Sequence, residues 1–334
     1  MNRREIISLI ILILVIGFGT YKYLTRSFTE LKSQYLMDTI VEISATSQSK
    51  NVGRQIDAVF NYIRNLEDKL NEFNPQSYLA KINADTLNTV FEMDPDVYNL
   101  LTIADSLYKM TEGAFDPTIK PVWDLWGFNA EKPVPPDSLE IKKMLEKVNF
   151  SKIKYTPQQL FKPVGMQLTF GAIAKGYILD KAREYMQTLN LDSGFINCRS
   201  SMAFMGFKNP QIVYIQHPRR LDDYIASFKV LNQSVSTSGD YQQFYEYQGV
   251  RYHHIINPFT GYPVPDVHSV TVLCPSAAWS DGLSTALFLL PPETAISVIK
   301  PIPDCEAIIY YTKDDSLVSL KTKGMKKRDL NEKL

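Results

Sequence analysis

Asp281 and Thr285 stand four residues apart in Ser280-Asp281-Gly282-Leu283-Ser284-Thr285-Ala286, a stretch that reads as helix, so a carboxylate and a hydroxyl project from one face. Two oxygens in that relation can hold one hard cation. Magnesium keeps water and substrate phosphate among its six oxygens, so one more protein oxygen would suffice. The same pair also suits a plain helix start, with Asp281 favouring the dipole and Thr285 bonding its own backbone. His254 has a ring that is neutral near pH 7 and able to take a proton, though a hairpin histidine bonded to a backbone carbonyl is the ordinary alternative. A third element is residues 168–180, whose front half reads as the end of a strand and whose back half reads as the start of a helix, with Gly171 at the junction. Free N–H groups and the dipole at such a start favour an anion such as phosphate, and Lys175 in the first turn adds a positive charge. By itself the stretch equally fits a turn with Gly for geometry and Lys for solvent.

These residues need a scaffold. Residues 52–71 carry apolar side chains at helical spacing, residues 95–111 form a second amphipathic helix closed by Gly113, and residues 137–148 a third. Helices are also expected over 174–187, 277–290 and 295–299. Residues 35–44 alternate and are β-branched, reading as a first strand. Residues 213–217 pair with 225–231, a hairpin over 241–256 delivers His254, 267–273 is a strand, and 307–311 is the last. The charged tail from Lys321 is expected to be mobile. Strands and helices come in runs rather than strict alternation, which makes the class α+β with largely antiparallel sheets and flanking helices.

The 334 residues balance 36 Lys and Arg against 36 Asp and Glu, so no net field argues for nucleic acid as a partner. Residues 6–19 are an apolar run behind Arg3 and Arg4, and the bulky Thr20-Tyr21-Lys22-Tyr23-Leu24 offers no small-x-small cleavage site. Residues 1–26 therefore read as an uncleaved single-pass anchor in the cytoplasmic membrane. The short basic tail stays inside, which places the domain of 27–320 and the charged tail of 321–334 on the extracytoplasmic, periplasmic side. Cys198, Cys274 and Cys305 are far apart without CxxC spacing, which suggests neither a zinc site nor a disulfide framework. Their odd number leaves at least one free thiol, and Cys198 and Cys274 read as buried core. No cysteine follows the apolar run to carry lipid.

Five ordered motifs decide between the plain and the chemical readings. Gly113-Ala114-Phe115-Asp116-Pro117-Thr118, Gly171-Ala172-Ile173-Ala174-Lys175-Gly176, Ser236-Thr237-Ser238-Gly239-Asp240-Tyr241, His253-His254-Ile255-Ile256-Asn257-Pro258-Phe259-Thr260-Gly261 and the Ser280 to Ala286 stretch follow one another in that order. Together they resemble the ApbE family, the FAD:protein FMN transferases, over residues 35–312. The resemblance implies a two-lobed fold around one nucleotide cleft. It implies FAD as substrate, with Met37, Asn74, Ala114, Phe115, Asp116, Thr169, Lys175 and Ile255 against it. It also implies Mg2+ held by Asp281, Thr285 and the Ala172 carbonyl, His254 as the base, and AMP released as FMN passes to a Ser or Thr hydroxyl. The acceptor would be a flavoprotein, by analogy a subunit of a membrane redox complex.

Departures keep a second reading open. Asp38 replaces a Gly after Met37, Thr169 stands where the family often has Asp, and Asn197-Cys198-Arg199-Ser200-Ser201 replaces a Gly-rich segment. Arg199 could pair with phosphate there or obstruct it. The alternative is a paralogue that binds or hydrolyses FAD without transferring FMN.

Overall fold

Alternation and helical spacing resolve into the following elements in a computed structural model that describes residues 2–220 and 222–333; Met1 of the expected anchor and Leu334 of the expected tail lie outside these. Helix α1 (Arg3–Leu24) leads through three residues into β1 (Phe28–Leu36) and β2 (Thr39–Ser47). Next come α2 (Val52–Leu70), α3 (Tyr78–Ala84), β3 (Val90–Glu92), α4 (Pro95–Met110), α5 (Lys120–Trp126) and α6 (Ser138–Leu145). The short β4 (Lys154–Tyr155) and β5 (Gln159–Phe161) precede α7 (Ala174–Thr188), β6 (Ser193–Asn197), β7 (Ser201–Met205), β8 (Gln211–Gln216), β9 (Tyr224–Val230) and β10 (Ser234–Gly239). The chain closes with β11 (Phe244–Tyr247), β12 (Val250–His253), β13 (Val267–Cys274), α8 (Ala277–Phe288), α9 (Pro292–Ile299), β14 (Glu306–Lys313), β15 (Ser316–Lys321) and β16 (Asn331–Glu332).

An eight-stranded antiparallel sheet in the order β1-β2-β6-β7-β10-β13-β14-β15 divides the molecule. Because side chains alternate across a sheet, its strands feed two cores. Val270, Val272, Ala307 and Ile309 face the helical core with Phe60, Leu100, Leu179 and Leu287. Val235, Leu273, Ile308 and Tyr310 face a second core that β8, β9 and β16 cover as a small sheet. A third cluster, around Val122, Trp126, Ile141 and Ile256, ties α5 and α6 to the hairpin of β11 and β12. The α+β class with largely antiparallel sheets holds, and α1 is an apolar helix long enough to cross a membrane, with none of it buried against the rest.

Several expectations change. The single strand over 35–44 is a hairpin, with Met37 (φ 54) and Asp38 (φ 56) as its two-residue turn. Positive φ at both positions matches the twist of the strands, and Asp enters the left-handed region at low cost. Residues 168–173, expected to end a strand, are irregular, with the Phe170 carbonyl accepting the amides of Ile173 and Ala174. The strand ending near 311 is not the last. The tail expected to be mobile is docked, since Met325 is buried and β16 pairs with β9. Cys274 and Cys305 form a disulfide. Thirty-one residues separate them, but Cys274 ends β13 and Cys305 precedes its partner β14, so antiparallel pairing returns the chain to the same place. Cys198 is the buried free thiol.

Candidate active site

Helices α7 and α8 cross at Gly176, where a Cβ would lie 2.1 Å from the Ala277 carbonyl and 2.7 Å from Asp281 Cβ. Only glycine permits that approach. The two helices then cap each other. Asp180 of α7 accepts the amides of Ala277 and Ala278 at 2.9 Å each and the Ser276 hydroxyl at 2.6 Å, closing the start of α8. Asp281 of α8 in return accepts the Gly176 amide at 2.9 Å. Gly176 lies in the first turn of α7, whose amides lack an acceptor within the helix, so Asp281 satisfies it, while the Ala172 carbonyl lies just ahead of the helix. Ser201 donates to the other Asp281 oxygen at 3.1 Å, and the Thr285 hydroxyl lies 3.0 Å from that of Ser238.

Asp281 is 8% exposed. Burial pushes its carboxyl up to about 6, against the pull of the Gly176 amide, Lys175 and Ser201. A buried carboxylate with spare lone pairs, a hydroxyl one turn on and a carbonyl just ahead of α7 form a hard-oxygen set. No cluster of three His, Cys, Asp or Glu suited to a metal occurs among the described residues, so a cation here would rest on this single carboxylate and neutral oxygens.

His254 directly follows β12. Its Nδ1 lies 3.0 Å from the Gln243 carbonyl, which can only accept, so the proton sits on Nδ1 and the Nε2 lone pair is free. Desolvation, helped by His253 and Lys175, pushes its pKa down to about 4. The other three histidines are committed elsewhere. His253 bonds the Val264 carbonyl, His268 lies between Asp240 and Thr312, and His217 accepts the amides of Arg219 and Arg220.

One cleft of about 580 Å³ brings these groups together. Of the residues expected against a ligand, it is lined by Met37, Ala114, Phe115, Asp116, Thr169, Lys175 and Ile255, along with Ala172, His254, Asp281 and Thr285. Asn74 is not among them. Its side chain accepts the Gln76 amide in the turn before α3, while its neighbour Phe73 lines the cleft instead. Asp116 spends both oxygens on Thr118 and the Phe150 amide, so it shapes the loop that presents Ala114 and Phe115. Arg199 is exposed and not among the residues that line the cleft, at φ 68, whereas Ser200 lines it and Ser201 donates to Asp281. Sequence reasoning missed Glu67, Glu72 and Ser238. Ser238 lay inside a quoted motif, but the two glutamates end an ordinary amphipathic helix and carry no local signal.

A sequence model of the ApbE family matches residues 37–309. Similar curated proteins include FAD:protein FMN transferases of Treponema pallidum, 27% identical over 90% of each chain, and of Haemophilus influenzae, 29% identical over 92% of this chain and 91% of that one. Among solved structures, the ApbE protein of Thermotoga maritima superposes with a TM-score of 0.83 at 28% identity, covering 90% of this chain and 99% of its own. The apo flavinyl transferase ApbE of Pseudomonas stutzeri superposes at 0.80 and 25%, covering 91% and 98%. With its motifs gathered in one cleft and its length matched almost throughout, the chain belongs to the ApbE family.

Proposed function

We propose that this chain transfers the FMN half of FAD to a Ser or Thr hydroxyl of an acceptor protein and releases AMP. The observation that carries the reading is the convergence, in one cleft, of the start of α7 with Lys175, the oxygens of Ala172, Asp281 and Thr285, and the free Nε2 of His254. Lys175, in the first turn of α7 and lining the cleft, receives the pyrophosphate. The acceptor hydroxyl oxygen attacks the FMN-side phosphorus, its proton passes to His254, and the P–O bond to AMP breaks, with the bridging oxygen leaving on AMP. Bound magnesium would neutralise pyrophosphate charge at the Asp281, Thr285 and Ala172 oxygens. A ring with a pKa of about 4 is a weak base alone, and an anionic pyrophosphate beside it raises its proton affinity.

The domain is proposed to work outside the cytoplasm on an anchor made by residues 1–26. Arg3 and Arg4 ahead of the apolar run favour an inside N-terminus. The Cys274–Cys305 disulfide suits an oxidising compartment.

The test is mass spectrometry of a Ser/Thr acceptor peptide incubated with the full chain, FAD and magnesium. The expected result is a peptide heavier by the FMN moiety with equivalent AMP. AMP without a modified peptide would indicate hydrolysis, and FAD binding without AMP a binding protein.

A further inference from the structure

Glu72 lies one residue beyond the C-cap Asn71 of α2 and lines the cleft, yet neither the metal set nor the base needs it. Its side chain is 10% exposed and lies 3.4 Å from the Lys120 ammonium, itself 8% exposed. It also bonds the Thr169 hydroxyl. Lys120 is held more closely by Asp124, at 2.9 Å, and lies 5.0 Å over the Phe73 ring. Phe73 in turn sits 6.0 Å from the Trp123 ring. Two carboxylates thus share one ammonium at the foot of an aromatic wall. A buried ion pair is poor value for stability alone, since apolar or neutral groups of the same shape pack there as well or better. Lys120 is already neutralised by Asp124, so Glu72 is not required for that purpose. A carboxylate offers about four acceptor sites, and Thr169 and Lys120 occupy two.

An acceptor beside aromatic faces suits a flat heterocycle that presents an N–H, and it repels phosphate. FAD carries two such edges, the flavin N3–H and the adenine amino group.

We propose that Glu72, held by Lys120 and Thr169 beneath Phe73 and Trp123, is a specificity residue that accepts a hydrogen bond from the N–H edge of one of the two rings of FAD. This rests on the reading that FAD occupies the cleft. The charge excludes the pyrophosphate from this wall and so fixes which part of the dinucleotide lies against it.

The test uses the full chain in detergent, titrated with FAD, FMN and AMP separately. Glu72→Gln keeps the shape and removes the charge. It is expected to weaken FAD binding about ten- to hundredfold, as for loss of a hydrogen bond to a charged group, and to raise KM by the same factor while kcat falls far less. FMN or AMP, whichever carries the ring that Glu72 reads, weakens in parallel and the other does not. The double variant Glu72→Gln with Lys120→Met removes the buried pair, and is expected to melt near the wild type while still binding FAD weakly. Unchanged FAD affinity in Glu72→Gln would overturn the assignment. So would wild-type affinity in the double variant, which would trace the defect to a stranded Lys120. A wild type that binds no FAD would overturn the reading of the cleft itself, and this assignment with it.

Discussion

The cleft has two unlike walls. The α7–α8 wall is made of backbone and small residues: a glycine crossing, reciprocal carboxylate caps and a carbonyl just ahead of α7. The other wall, from the segment after α2 and from α5, is made of large side chains, with Phe73 tilted against Trp123 and Lys120 over its ring. The first positions atoms to within hydrogen-bond tolerance, as chemistry at phosphorus requires. The second offers area, which survives substitution of one ring by another. The walls should therefore fail differently, the first in turnover and the second in affinity.

The largest effect is expected at Asp281. Asp281→Ala removes the one charged oxygen of the set, and turnover should fall about a thousandfold or more, the scale of several kcal/mol of lost charge stabilisation. The same residue should limit stability. Burial raises its pKa to about 6, so in the metal-free fold the carboxylate penalises stability in full above about pH 6, and the penalty fades as pH falls from there toward the ordinary carboxylate value of about 4. Asp281→Asn should accordingly melt higher than the wild type without magnesium at pH 7.5, by about 1–2 kcal/mol. A lower melting temperature in that variant would mean that the carboxylate braces α7 more than burial penalises it.

His254→Ala should cost about a hundredfold in transfer, as for loss of a positioned base, with FAD affinity retained. The pH profile separates it from Asp281. At low magnesium, kcat/KM should fall below about pH 6 as a proton takes the place of the cation on Asp281. Raising magnesium should move that limb toward the value of about 4 at which His254 gains its proton. A limb that ignores magnesium would detach Asp281 from the metal.

Thr285→Ala should lose about tenfold, because water can replace a neutral oxygen ligand. Titrating magnesium against turnover checks it: the loss should shrink as magnesium rises.

The contrast between the walls also explains what the sequence disclosed. The α7–α8 wall was legible because its atoms come from short contiguous motifs. Asp281 and Thr285 are one helical turn apart, and Ala172 and Lys175 share one turn. Helix existence was legible for the same reason, as with α2 and α4. Contacts that close over long separations were hidden. Glu72 meets Lys120 and Thr169 only after α2, α5 and the loop before α7 converge, and Cys274 meets Cys305 only once β13 pairs with β14. The Met37–Asp38 turn was hidden differently, since neither residue is Gly or Asn and the alternation ran straight through it. Asn74 was expected against FAD only through the family resemblance, and its oxygen accepts the Gln76 amide within its own turn.

The smallest expected effect, and the sharpest test of the contrast, lies at Phe73. Its ring is 54% exposed, so its removal creates no cavity, and its contacts are with Trp123 and Lys120 rather than with the α7–α8 wall. Phe73→Ala should weaken FAD binding about three- to tenfold, the scale of one aromatic contact, and leave the melting temperature within a degree or two. Phe73→Tyr should recover most of the affinity because it restores the face. The kcat at saturating FAD should change least of all, since the groups proposed to act on phosphorus are held by α7, α8 and the Gln243 carbonyl. A large fall in kcat for Phe73→Ala, with KM unchanged, would show that the aromatic wall also sets the geometry of the reacting phosphate, and the division between the two walls would not hold.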